Sequence, residues 1–281
     1  MSENNLITIK TQLNELAAIK SDIKTSIEKI KNDNNDIGNN FAKYNTEFDK
    51  IPFIQMYRGI TERGQRINVF TDKIDLTSID LSDYKIPKNI TTFQDMFKGC
   101  INVVTILLDN IDTSNITNID NMFFDCAQLT AIDASKINVI NVVSMSQAFR
   151  GCKLITELNL STWNTTKCTN MFGLFRSCNA LTTLVLTGLV TTNVTNMAYT
   201  FRHMVNLINL NVSTLDTSNV TVMNSMFTAC TKLQYLDIRN FDVRNATKMG
   251  WMFGECFALG TILFGENFIT TNVITMDYMF K

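Results

Sequence analysis

The feature that most constrains this chain is a repeat of 26 residues. Cys100, Cys126, Cys152, Cys178, Cys230 and Cys256 lie on one 26-residue grid, and Met204 fills its one vacancy. Three residues before each stands a phenylalanine: Phe97, Phe123, Phe149, Phe175, Phe201, Phe227 and Phe253. Three residues after come Val103, Leu129, Ile155, Leu181, Leu207, Leu233 and Leu259, followed by further apolar columns six and eight residues on. Later in each unit are an apolar residue such as Ile111, Trp163 or Phe241, a recurrent asparagine such as Asn141 or Asn219, and a methionine such as Met145 or Met223. A unit of this size cannot bury its apolar side alone, so successive units must stack into one continuous core.

Each unit has its own internal logic. The L-x-x-L-x-L run alternates apolar and polar residues, which suits a short strand with one face inward. The later Met-x-x-Met-Phe segment has helical spacing and predicts a helical turn or short helix on the opposite side. The fold class expected for residues 75–281 is therefore an α/β repeat solenoid, with the asparagine column turned inward as a ladder that bonds the bend.

The first 51 residues follow a different period. Leu6, Ile9, Leu13, Leu16, Ile23, Ile27, Ile30, Asn34, Ile37, Phe41, Tyr44, Phe48 and Ile51, with Lys20, are spaced alternately by three and four. This heptad series predicts a parallel coiled-coil stalk over 1–51, preceding the solenoid. Isoleucine at most d positions points to a homotrimer or a tetramer rather than a dimer. Pro52 ends the coil, and residues 52–74 read as a linker with a β-hairpin that caps the solenoid's open edge.

The phrase D-T-S-N-V-T-x-M-x-x-M-F-x-x-C-x-x-L-x-x-L-x-L, as in Asp216 to Ile238, resembles the BspA-type leucine-rich-repeat family of bacterial and protist surface proteins. The likeness covers about 75–281. It implies a leucine-rich-repeat-like solenoid, adhesion as a role, and no catalytic residues.

No metal, cofactor or enzyme motif competes with that reading. The cysteines lack the short C-x-x-C spacing of zinc sites, and stacking in one column would hold their Cβ vectors parallel, a poor geometry for disulfides. Buried free thiols are expected. His203 is the single histidine, in a variable turn position. The net charge of -1 gives no basic field for nucleic acid, and no apolar run is long enough to span a membrane.

Outward strand positions are the candidate ligand-binding residues: Glu157, Asn159, Asn209, Asn211, Tyr235 and Asp237, whose side chains can hydrogen-bond sugars or protein groups on a host surface. A stalk, a cap and a repeat head, with no secretory leader at the N-terminus, also resemble the layout of bacteriophage fibre proteins. The expected role is a virion fibre that contacts other virion proteins and attaches to a host. The alternatives are a bacterial cell-surface or secreted adhesin and a purely structural spacer.

Overall fold

The computed structural model describes residues 70–82, 86 and 88–281. The expected coiled coil and its oligomerisation residues lie outside the described residues, as does nearly all of the expected hairpin cap. Residues 70–281 fall within a single compact unit.

That unit is a solenoid of parallel ladders. β1 (Ser78–Asp80) pairs with β2 (Thr105–Leu107), β3 (Glu157–Asn159) with β4 (Thr183–Val185), and β5 (Tyr235–Ile238) with β6 (Thr261–Phe264), all parallel. Single bridges Thr105–Ala131 and Asn209–Tyr235 extend this ladder between the strand pairs. In β1, β2 and β3 the central residue is buried and its neighbours are exposed, as alternation requires. A second parallel ladder runs without a break through Thr92, Asn118, Ser144, Asn170, Asn196, Val222, Lys248 and Thr275.

The expected helix is absent: among the described residues the only helical element is a 3-10 turn, Ala134–Lys136. A ladder of turns takes its place. The amides of Phe93, Asp95, Phe97 and Gly99 donate to the carbonyls of Asn118, Asp120, Met122 and Phe124 in the next coil. Between them, the Met96 and Cys100 amides close turns onto Phe93 and Phe97. Asp95 (φ 61°) and Gly99 (φ 74°) are left-handed at the third position of these turns, the pattern of type II turns. Alternate amides are thus committed to the neighbouring coil and cannot serve an i to i-4 helix ladder. The inward residues are Phe93, Met96, Phe97 and Cys100, all fully buried. Their spacing of three, one and three is also that of a helix face, so the apolar pattern alone reads as helix.

The core is a set of stacked columns. Phe97, Phe123, Phe149, Phe175, Phe201, Phe227 and Phe253 stack ring on ring, with centroids 5.3 Å apart at the closest pair and 6.0 Å at the widest. Phe70 and Phe280 extend the stack at its two ends. Phe70 therefore packs with the first coil, and Asp72 donates its amide to Lys98 there. The cysteines are free, and each grid thiol donates to the carbonyl of a phenylalanine in the preceding coil, as Cys152 does to Phe123 at 3.2 Å. Burial pushes Cys178 up to about 12 and holds Cys152 well above the usual thiol range.

The asparagine column does form a ladder. Nδ2 of Asn141, Asn193, Asn219 and Asn245 donates to the carbonyls of Ser114, Thr166, Thr192 and Ser218. It runs along the surface rather than inward, for three of these four residues are exposed and Asn141 is half-buried. Lys167 keeps the column's connectivity by donating Nζ to Oδ1 of Asn141 at 2.6 Å.

Candidate ligand-binding faces

Five of the six sequence-predicted residues lie on the strand ladder, and Asn211 follows two residues after Asn209 in the same coil. Glu157 and Asn159 belong to β3, Tyr235 and Asp237 to β5, and Asn209 bridges directly to Tyr235. Five are exposed and Asp237 is half-buried. Asn209, Asn211, Tyr235 and Asp237 come together around a shallow concavity of about 240 Å³, with Leu210, Val212 and Ser213 completing its wall. Glu157 and Asn159 are not part of it; β4 separates them from the Asn209 coil.

Hydrogen bonding sorts these residues further. Oδ1 of Asn159 and Asn211 accepts from the amides of Ser161 and Ser213, and Asp237 does the same for Arg239. These are Asx turns that end the strand and bend the chain. Asp237 also takes a forked contact from the Arg239 guanidinium, at 2.7 Å for the closest pair, which holds its carboxyl below the usual range. Among the described residues, the Asn209 amide, the Asn211 Nδ2 and the Tyr235 hydroxyl make no hydrogen bond within the protein. Those are the groups this concavity offers a ligand.

Sequence reasoning missed a second set, carried by the turn ladder. Arg150, Arg176 and Arg202 occupy one column in three consecutive coils, within the recurring phrase Phe-Arg-x-Cys or Phe-Arg-x-Met. The guanidiniums lie against aromatic faces: Arg150 is 4.6 Å from the Phe124 ring centroid, and Arg176 and Arg202 are 5.4 and 5.3 Å from that of Tyr199. Phe172 packs edge-on against Tyr199. Desolvation and the two flanking arginines lower the pKa of Arg176, although a guanidinium stays charged. Burial, Arg202 and Arg176 likewise hold His203 below its usual value, favouring its neutral form at pH 7. A net charge near zero conceals this column, because its members are 26 residues apart and form no local basic run.

Among the described residues no group of histidine, cysteine or carboxylate side chains could hold a metal ion, and no helix is long and apolar enough to cross a membrane.

The architecture defines a class: a solenoid of 26-residue coils with a leucine-rich-repeat-like strand ladder on one side and a turn ladder in place of a helix. Within that class the chain belongs to the family described as "Mycoplasma protein of unknown function, DUF285", whose model matches residues 65–188 and 185–281. No curated protein matches the chain. Among solved structures it is similar to a leucine-rich-repeat protein of T. pallidum, with 16% identity, a TM-score of 0.39, and 69% of this chain and 71% of that one covered. It is also similar to a leucine-rich-repeat protein of Bacteroides ovatus (20% identity, TM-score 0.36), covering 70% of this chain and 57% of that one. For a leucine-rich cell surface protein of Faecalibacterium prausnitzii the values are 17% and 0.37, with 71% of this chain and 62% of that one covered. The likeness thus spans less than two thirds of the latter two proteins.

Proposed function

We propose that this chain is a non-enzymatic binding protein of a bacterial cell surface, engaging sugar or peptide groups on another surface through its strand face. One observation carries the reading: the Asn209, Asn211 and Tyr235 groups without an internal partner converge on the same concavity. Tyr235 is 43% exposed, so a ring face is available for stacking beside hydrogen-bonding amides. The bacterial family, and the resemblance of the Asp216 to Ile238 phrase to BspA-type surface proteins, favour the cell surface over a phage fibre. Repeat solenoids commonly bind along such extended faces.

The test is binding of the full chain to an array of neutral glycans and to cultured host cells, with Tyr235→Ala and Asn209→Ala alongside. Each substitution should weaken binding by about three- to tenfold, the effect of one lost hydrogen bond. Their melting temperatures should stay near wild type, since both side chains are exposed. Equal binding by variants and wild type would make the strand face a solvated wall, and no binding at all would leave the solenoid a spacer.

A further inference from the structure

The arginine column has features that a merely solvated surface does not need. Arg150, Arg176 and Arg202 stand on successive rungs, about 4.8 Å apart by ladder geometry. None has a carboxylate within ion-pair distance among the described residues, whereas Lys98 in the same column pairs with Asp95. Three like charges at that spacing repel one another. Nε of Arg176 and of Arg202 is buried without a hydrogen-bond partner in the protein. Among the described residues their Nη groups make no hydrogen bond within the protein, while Arg150 gives Nη1 to Oε1 of Gln147 and keeps its other donors for a ligand.

We propose that this column is a binding site for a linear anionic polysaccharide, one bearing sulfate or carboxylate groups along its chain. A guanidinium edge matches such oxyanions with two parallel N–H donors. A sugar unit is similar in length to one rung, so successive anionic groups can meet successive arginines along the solenoid axis. Tyr199, in contact with both Arg176 and Arg202, fixes the two guanidiniums relative to one another. Binding relieves the repulsion among the three cations and neutralises a site that lacks its own counter-charge. The site lies on the turn ladder, apart from the strand-face concavity, and does not depend on that reading.

The experiment measures binding of the full chain to heparin by titration at physiological salt, with uncharged dextran, dextran sulfate and oligo-dT as comparators. Heparin and dextran sulfate should bind and dextran should not. Arg150→Gln/Arg176→Gln/Arg202→Gln should raise Kd for heparin by about tenfold or more, three weak surface pairs together, and should flatten its salt dependence. The triple lysine variant keeps the charge and the fold if glutamine does not, and should fall between the two because it loses the forked donors. Tyr199→Leu should weaken heparin binding with all three charges present. Tyr235→Ala should leave it unchanged. Wild-type affinity in a folded triple glutamine variant, or oligo-dT bound as tightly as heparin, would overturn the proposal.

Discussion

The Oγ1 of Thr217 donates to the carbonyl of Asp242 at 3.0 Å and accepts from the amide of the same residue at 2.8 Å. One buried hydroxyl thereby satisfies both backbone groups of a residue in the next coil. Thr165 does this for Val190 and Thr191 for Asp216. The column sews successive coils together where the strand and turn ladders leave a gap. Thr217→Val keeps the shape and removes both bonds. It should cost about 1–3 kcal/mol, the penalty for leaving buried backbone groups unpaired. Thr221→Val is the control: Thr221 is exposed and donates to the Thr195 carbonyl at 3.2 Å, so water can replace that bond and the cost should stay below about 0.5 kcal/mol. Urea denaturation of both variants checks this, and equal costs would remove the distinction between the two threonine columns.

The phenylalanine stack should carry position-dependent energy. Phe201 is 1% exposed and stacked on both sides, whereas Phe280, at the end of the stack, is 64% exposed. Phe201→Ala should cost about 3–5 kcal/mol through lost burial and the cavity left behind. Phe280→Ala should cost under about 1 kcal/mol, since an exposed ring has lost little water. Calorimetry of the two variants distinguishes a continuous core from a set of independent coils.

Much of this was legible in the sequence, because a core column repeats every 26 residues whatever path the backbone takes between. Phe97, Cys100, Val103 and Ile106 could be assigned inward from spacing alone, and all are buried. The path itself was not legible. Phe93, Met96, Phe97 and Cys100 satisfy helical spacing, yet the backbone bonds sideways to the next coil, and the left-handed residue that permits this is Asp95 in one coil, Tyr199 in another and Trp251 in a third. No residue type marks the position, so local propensity gives no signal. The strand-face residues were readable as outward, but their convergence on a concavity depends on which coils adjoin. The arginine column needed the same alignment applied to polar positions as to the apolar ones.

A compensating pair sits where the strand ladder is interrupted. Ala134 occupies a column that holds Leu108, Leu160 and Leu186 in other coils, and the 3-10 turn follows directly on the strand positions of this coil, where only Ala131 makes a bridge. Trp163 fills the space: it is 2% exposed, packs against Phe149 at 5.9 Å, and donates Nε1 to the Ala134 carbonyl at 2.8 Å. The equivalent pair two coils away from Ala134 is Leu186 and Leu215, both buried. Trp163→Leu alone should destabilise by about 2–5 kcal/mol, combining a cavity with the loss of one of the two hydrogen bonds to the Ala134 carbonyl, which keeps the Ile137 amide. Adding Ala134→Leu should recover at least about 1 kcal/mol, because the double variant recreates a pair the solenoid already accommodates. Strictly additive single and double costs in a double-mutant cycle would show that the two sites do not share the cavity.

The buried thiols, those of the column and Cys168 beside it, make stability depend on alkaline pH. Desolvation pushes Cys100 and Cys256 up to about 11, and Cys168 and Cys178 up to about 12, from an ordinary value of 9.0. Below that ordinary value the thiols are neutral both folded and unfolded, and their contribution is fully present. As pH rises past it, the unfolded chain ionises while the folded chain holds its protons, so the unfolded state gains and stability is lost until the folded values are reached. Each such thiol adds a slope of about 1.4 kcal/mol per pH unit across that window. The unfolding free energy should therefore fall between pH 9 and 11, and Cys178→Ala should reduce the slope by about one thiol's share. Native-state labelling with a thiol reagent gives an independent reading. Cys256, the one half-buried cysteine, should react first, and Cys152, fully buried, should react only as fast as the chain opens. An unfolding free energy that is flat from pH 8 to 11, or Cys152 labelling as fast as Cys256, would show that the column is open to water.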